Sequence, residues 1–322
     1  MEYGDIVGVG KRVSRLIQGA VMLNSEDRDG GFALFDIIYQ TGCNTFDTAH
    51  VYGAGDSERV LGAWIADRGI REETVIITKG AHPNADRLRV TPFDIASDVH
   101  DSLARLGTDY IDLYLLHRDN PDVPVAEIVE AVNEHIQAGR IKAWGGSNWS
   151  HERIEAANAV AQEHGWTPMV ASSPHFSLAE QREAPWAGCI SISGPGGEAA
   201  REWYTKQQMP VLCWSSLSGG FFSGRYDRAA IETAPPYSDD PCIRCYGTAA
   251  NVERLDRASE LAREKGLTLP QIALAFVLNS PMNVYPLVGC ATGDEFRANA
   301  DVLTLKLTPE ELDWLDLRRD QR

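Results

Sequence analysis

Eight short apolar runs, each followed by a turn and a helical stretch, constrain this chain more than any other feature of its sequence. The runs are residues 16–21, 44–48, 75–78, 111–116, 141–145, 169–172, 211–215 and 284–288. Several are continuously apolar, the pattern of parallel strands buried on both faces. Helical periodicity appears at 28–41, 57–67, 92–106, 125–138, 151–163, 195–208, 252–279, 294–301 and 308–318. Thr91-Pro92 opens one of these helices and Gly107 stops it, while Gly139 and Gly165 stop the next two. Gly266 interrupts the stretch 252–279, and Thr308-Pro309-Glu310-Glu311 opens the last. Strand and helix alternating without a doubled strand predict an α/β fold, a closed (β/α)8 barrel. An open doubly wound sheet is the alternative, and it normally carries Gly-x-Gly-x-x-Gly after its first strand. The nearest candidate, Gly8-Val9-Gly10, lies in an alternating stretch that reads as a hairpin. No linker or low-complexity segment divides the 322 residues, so 1–322 reads as one domain.

Net charge is −16, with the acidic residues spread out in pairs such as Glu72-Glu73, Asp239-Asp240 and Glu310-Glu311. Such a surface repels nucleic acid and anionic membranes, which leaves small molecules as the expected partners. Residues 1–10 lack a basic region followed by an apolar run, and no apolar stretch approaches the ~20 residues that span a bilayer. Six cysteines in such a chain are expected to be free thiols in a reducing cytoplasm. Cys242-x-x-Cys245 has no second Cys or His cluster at metal spacing. It reads as two thiols in a Pro-rich loop before it reads as a metal or redox site, and no metal is expected.

In a barrel of this kind, chemistry belongs at the C-terminal ends of the strands. The second run ends in Asp47 and is followed by Tyr52, the third ends at Lys79, and the fourth at His117. Four polar groups at three neighbouring strand ends share one pocket. A phenol ordinarily holds its proton to a pH near ~10. An adjacent ammonium favours the phenolate and makes a Tyr usable as an acid near neutrality. Asp47 holds Lys79 charged, and His117 orients a substrate oxygen. Taken singly, each is better read blandly, Asp47 as a turn cap, Lys79 as a surface residue, Tyr52 as a packed aromatic and His117 as a satisfied histidine; it is the four together at strand ends that point to chemistry.

The segment Phe46-Asp47-Thr48-Ala49-His50-Val51-Tyr52-Gly53, with Ser57-Glu58 and Leu61-Gly62, resembles the signature of the aldo-keto reductase superfamily. Ile77-Thr78-Lys79, Leu115-Leu116-His117, Gly145-Gly146-Ser147-Asn148-Trp149 and Trp214-Ser215-Ser216-Leu217-Ser218-Gly219-Gly220 resemble its further blocks, so that the likeness runs from about Leu16 to Leu317. The resemblance implies a catalytic tetrad of Asp47, Tyr52, Lys79 and His117, and an N-terminal hairpin over residues 3–15 closing the barrel bottom. It implies reversible hydride transfer between NAD(P)(H) and a carbonyl, with Tyr52 as general acid and base. The fold is also similar to potassium-channel β-subunits, so a cofactor-binding regulatory or partner protein is the alternative.

The resemblance also implies cofactor contacts. Gly19 and Ala20 line the site, while Ser147 and Asn148 hold the carboxamide. Ser173 stands where the family usually has a longer Gln. Trp214 stacks on the nicotinamide; Ser215, Leu217 and Gly219 line the pyrophosphate path. Ser223, Gly224 and Arg225 close over the pyrophosphate. Gly289, Ala291, Glu295 and Asn299 meet the adenosine end. Family habit points to NADP(H), whereas Ala291 and Glu295 lack the basic groups a 2′-phosphate wants; NADP(H) is expected over NAD(H), with Arg297 close enough in sequence to compensate. The substrate is expected to meet Tyr52, His117 and Trp149. Arg118, Asn120, Phe176 and Trp186 would add the mixture of aromatic and polar groups that suits a sugar, or Phe176 and Trp186 simply pack a loop. Residues 226–248 show no helical or strand period and read as a lid or as a surface loop.

Overall fold

A computed structural model describes residues 1–234 and 238–322. Two short strands, β1 (Tyr3–Gly4) and β2 (Val13–Ser14), pair antiparallel as the expected hairpin. The barrel strands are β3 (Ile17–Gly19), β4 (Thr45–Asp47), β5 (Val75–Gly80), β6 (Ile111–Leu116), β7 (Ile141–Ser147), β8 (Ala171–Ser173), β9 (Val211–Cys213) and β10 (Val284–Val288). Their order is β10-β3-β4-β5-β6-β7-β8-β9, closed on itself. This is the (β/α)8 barrel that the alternation predicts.

The helices are α1 (Arg28–Gln40), α2 (Asp56–Arg68), α3 (Pro92–Leu106), α4 (Val125–Gln137), α5 (His151–His164), α6 (Glu198–Gln207), α7 (Arg228–Glu232), α8 (Pro241–Tyr246), α9 (Ala249–Lys265), α10 (Leu269–Leu278), α11 (Gly293–Ala300) and α12 (Pro309–Leu315). Their ends follow from local chemistry. Thr91 caps α3 by accepting from the Asp94 amide, Pro92 takes the first helical position, and Gly107 ends the helix in the left-handed region. Gly165 and Gly266 end α5 and α9 in the same way. Thr308 and Glu311 form a reciprocal capping box at α12.

The chain divides into two compact units. The first comprises residues 1–173 and 289–293. It holds the hairpin, β3 to β8 and α1 to α5. Every residue of β5 and β6 is buried, as strands covered on both faces must be. The buried carboxylate of Asp112 in β6 pairs with Lys11, which follows the hairpin turn, and with Arg71. Lys11 also donates to the carbonyls of Arg71 and Thr74, just before β5. The hairpin is thereby fixed to the N-terminal ends of the strands, opposite the end where chemistry is expected.

The second unit comprises residues 174–288 and 294–322. It holds β9, β10, α6 to α10 and α12. Here the structure corrects the sequence reading of residues 226–248, in which no helical period was recognised. α7 and α8 form there, capped by Asp227 and Asp240, with Pro241 at the first position of α8. Cys242, Cys245 and Tyr246 fall at i, i+3 and i+4, and all three are buried in an apolar cluster with Phe221, Phe222 and Leu255. The thiols are core residues, and burial pushes Cys242 up to about 12. Residues 235–237 of that segment lie outside the described residues. A second difference is smaller: the run 211–215 leaves the strand after Cys213, because Ser215 takes a left-handed φ of 49°.

Candidate active site

Asp47 is the last residue of β4, Lys79 lies one residue from the end of β5, and His117 directly follows β6. Register fixes their levels: Asp47 is paired with Ile77 and Lys79 with Leu115. Tyr52 starts the single 3-10 turn Tyr52–Gly55 that leads from β4 into α2. The first unit therefore brings all four residues together.

The Lys79 ammonium is buried and has three donors. One goes to Asp47 Oδ2 at 2.7 Å, one to the Thr48 carbonyl at 2.8 Å, and the third reaches the Tyr52 phenol oxygen at 3.5 Å. Burial works against the charge on Lys79, but Asp47 and Tyr52 outweigh it and hold Lys79 above the usual lysine range. Burial also pushes the Asp47 carboxyl up, and Lys79 opposes that rise. Since the phenol oxygen accepts from Lys79, its own O–H is left to point elsewhere. Tyr52 is half-buried, and its ring meets the His117 ring edge-on at 5.8 Å.

His117 is held well below the ordinary histidine range by burial first, then by Lys79, Arg118 and His82. It is a neutral imidazole, so one ring nitrogen donates and the other accepts. Its Nδ1 is buried with no partner among the described residues, which leaves the Nε2 edge for a ligand. A positive group, a phenol O–H and a neutral imidazole thus converge on one spot. The arrangement can deliver a proton to an oxygen and steady the charge left on the phenol.

Support comes from residues to which the sequence reading gave no role. Ser57, at the start of α2, exchanges a hydrogen bond of 2.9 Å with Thr48 and donates to the Ala20 carbonyl at 2.7 Å. Glu58 is fully buried; it accepts from Thr78, the residue before Lys79, at 2.7 Å and from Arg105 at 3.2 Å. Arg105 also donates to the His50 carbonyl at 2.9 Å. Glu58 therefore ties β5 to the loop that carries Tyr52. The signal was present as Ser57-Glu58, an acidic residue on the buried face of a helix that begins just beyond the strand end.

Two of the remaining candidates of the first unit, Ala20 and Asn148, bond to the backbone of this cluster. Ala20, one residue past Gly19 at the end of β3, donates its amide to the Asp47 carbonyl at 2.7 Å. Ser147 donates to the Ser173 carbonyl at 3.0 Å. Asn148 donates to the His117 carbonyl at 3.3 Å and to Ser147 at 3.1 Å. Trp149 is buried, and its indole donates to the Arg118 carbonyl at 3.1 Å. Gly289 and Ala291 are exposed.

In the second unit, Trp214 follows β9 half-exposed, its ring tilted 55° against that of buried His175 at 5.0 Å. The exposed Trp186 ring lies 6.5 Å from Trp214, whereas Phe176 is buried in the core of this unit. Left-handed backbone recurs at Ser215, Ser218, Gly219 and Gly220, with Leu217 half-buried among them. At Gly219 an added Cβ would meet, among the described residues, only Tyr246, at 3.8 Å. Ser223, Gly224 and Arg225 are exposed, and Arg225 is already engaged by Tyr226 and lies 3.7 Å from Asp240. Glu295 is exposed and Asn299 buried. Arg297 pairs with Asp294 at 2.7 Å rather than standing free. A half-exposed indole face followed by an open, left-handed loop fits the ring and phosphates of a nicotinamide dinucleotide, since such backbone concavities suit anions.

Fold and site together define a barrel oxidoreductase with a Tyr, Lys, Asp and His cluster at the strand ends. The model of the aldo/keto reductase family matches residues 15–317, and the chain belongs to that family, whose members use NAD(P)H. The uncharacterized oxidoreductase YrpG of Bacillus subtilis is 28% identical over 98% of this chain and 95% of its own length. A probable voltage-gated potassium channel subunit beta of Oryza sativa is 29% identical over 98% of this chain and 96% of its own. Among solved structures, the glycerol dehydrogenase of Gluconobacter oxydans shares the fold with a TM-score of 0.77 at 23% identity, over 98% of this chain and 94% of that one.

Proposed function

We propose that this chain interconverts a carbonyl compound and its alcohol with NAD(P)(H), residues 1–322 serving as one enzyme domain and Tyr52 as the general acid and base. The observation that carries this reading is the three-way engagement of Lys79 with Asp47, the Thr48 carbonyl and Tyr52. It leaves the phenol proton free to move while a positive charge waits beside the oxygen that loses it. The cofactor supplies the hydride. Neutral His117 donates from Nε2 to the carbonyl oxygen and sets its direction; Tyr52 protonates that oxygen in reduction and takes the proton back in oxidation. Ser147, Asn148 and Ser173 would hold the carboxamide. Trp214, Ser215, Leu217, Gly219, Ser223, Gly224 and Arg225 would hold the ring and pyrophosphate, and Ala291, Glu295 and Asn299 the adenosine end. NADP(H) is favoured over NAD(H). The buried Trp149 indole would act through Arg118 rather than as a stacking face.

Tyr52→Phe tests the reading. Its turnover of aldehydes should fall about 10²–10⁴-fold, while cofactor binding, followed by nicotinamide fluorescence, stays within about twofold. Undiminished turnover would refute Tyr52 as the acid. The potassium-channel-subunit relatives favour a second reading, in which the cofactor is sensed rather than consumed. Tight cofactor binding without turnover across a broad panel of carbonyls and alcohols would select it.

A further inference from the structure

A second histidine stands beside the acid–base cluster. His82 lies three residues beyond Lys79, in the loop after β5, and its ring meets the His117 ring at 4.8 Å and 68°. Its Nδ1 lies 2.8 Å from the Pro83 carbonyl. A carbonyl can only accept, so that bond requires the proton on Nδ1. Burial first, then Arg118 and Arg89, lowers His82 below the usual histidine range, so the ring is neutral near pH 7. A neutral ring protonated at Nδ1 carries a lone pair on Nε2. Among the described residues nothing donates to that nitrogen, and it is not among the fully buried atoms left without a partner. His82 therefore offers an open acceptor on a ring that packs edge-on against the ring of His117.

The backbone leading into His82 is strained and firmly held. At Gly80 an added Cβ would fall 1.8 Å from the Tyr114 hydroxyl oxygen and 2.8 Å from Asp98, so only glycine fits. Ala81 then takes φ 60°, a costly region for a side chain with a Cβ. Buried Asp98 holds it there by accepting from the Ala81 amide at 2.8 Å. Arg89 braces Asp98 at 3.0 Å and reaches the His82 carbonyl at 3.5 Å. A strained turn this well supported, one residue from a ring at the reacting site, is where function is expected to be stored.

We propose that His82 is a specificity-determining residue, whose Nε2 accepts a hydrogen bond from a hydroxyl on the carbon next to the substrate carbonyl. This rests on the carbonyl-reductase reading. With the carbonyl oxygen between Tyr52 and His117, adjacent imidazoles suit oxygens on adjacent carbons. A substrate with hydrogen in place of that hydroxyl leaves the acceptor unpaired.

The test compares glycolaldehyde with acetaldehyde, each with NADPH and with NADH, in the unsubstituted protein, in His82→Phe and in His82→Asn. Phe keeps a ring against His117 but no acceptor, and Asn restores an acceptor. The measured quantity is kcat/KM for glycolaldehyde over kcat/KM for acetaldehyde, divided by the same ratio in the variant. The different hydration of the two aldehydes cancels in that quotient. We expect the preference for glycolaldehyde to fall about three- to tenfold in His82→Phe and to recover in part in His82→Asn, with acetaldehyde turnover little changed. A quotient within about twofold of unity, with both aldehydes reduced, overturns the role of His82 and leaves the reductase reading intact. Reduction of neither aldehyde by the unsubstituted protein overturns both.

Discussion

His175 in the second unit has no exposed surface, and both of its ring nitrogens are bonded. Nδ1 meets Ser191 at 2.8 Å, while Nε2 meets the Tyr246 hydroxyl at 3.1 Å and Ser177 at 3.2 Å. Burial pushes its pKa down to about 3, against about 6.5 in an unfolded chain. Between those values the unfolded chain takes up a proton that the folded chain refuses. Stability therefore falls as pH drops through the window, by about 1.4 kcal/mol per unit. Going from pH 7.5 to pH 4.5 should cost about 2.7 kcal/mol at this residue alone. His175→Gln removes that titration. It also loses hydrogen bonds, at a pH-independent cost of about 1–3 kcal/mol. Urea unfolding of both proteins at pH 7.5 and pH 4.5 separates the two effects. The variant should be the less stable at pH 7.5, and the gap should close or reverse at pH 4.5. His82, His117 and His135, also lowered by burial, are present in both proteins and cancel. A gap of the same size at both pH values would refute the claim that His175 is neutral and locked.

The buried ion pair and the cofactor's 2′ end give two further predictions. Lys79→Met and Asp47→Asn should each cost about 3–5 kcal/mol, because each leaves a buried group without its partner. In thermal melts of a chain this long that is about 4–7 °C; the double variant should lose much less than the sum, and additive losses would contradict the pairing. For the cofactor, Glu295→Gln should raise kcat/KM with NADPH relative to NADH, since an exposed carboxylate there would repel a 2′-phosphate and Arg297 is held by Asp294; an unchanged ratio in steady-state assays would show that Glu295 does not meet the 2′ position.

How much of this was legible depends on whether the cause is local. Buried parallel strands must be apolar whatever surrounds them, so β5, β6 and β10 could be read directly from residues 75–78, 111–116 and 284–288. Thr91-Pro92, Gly107 and Thr308-Pro309 act within one turn: α3 begins and ends, and α12 begins, where those residues say. α8 was missed because Pro and Asp dominate residues 234–241, although Cys242, Cys245 and Tyr246 already carry a helical period. Proline at a first turn is a helix start, and the Pro-rich composition concealed it.

The same distinction separates the parts of the site. Asp47, Lys79 and His117 sit at strand ends, and strand ends can be counted, so their meeting is readable from the sequence. His82 sits beyond a strand end, and its direction depends on Gly80, Ala81 and Asp98 acting together. No residue of that turn is unusual by type: an alanine gives no warning of φ 60°. The strain becomes sensible only once Asp98, on α3, is seen to hold the Ala81 amide and Tyr114 to press on Gly80. Glu58 was hidden for a related reason, since its partners Thr78 and Arg105 come from β5 and α3. In a barrel, sequence therefore reveals which residues reach the catalytic end, while tertiary neighbours decide where the loop residues point. Specificity is consequently harder to read than chemistry, and the choice among carbonyl substrates should respond to Asp98 and Gly80 as well as to the residues that touch the substrate.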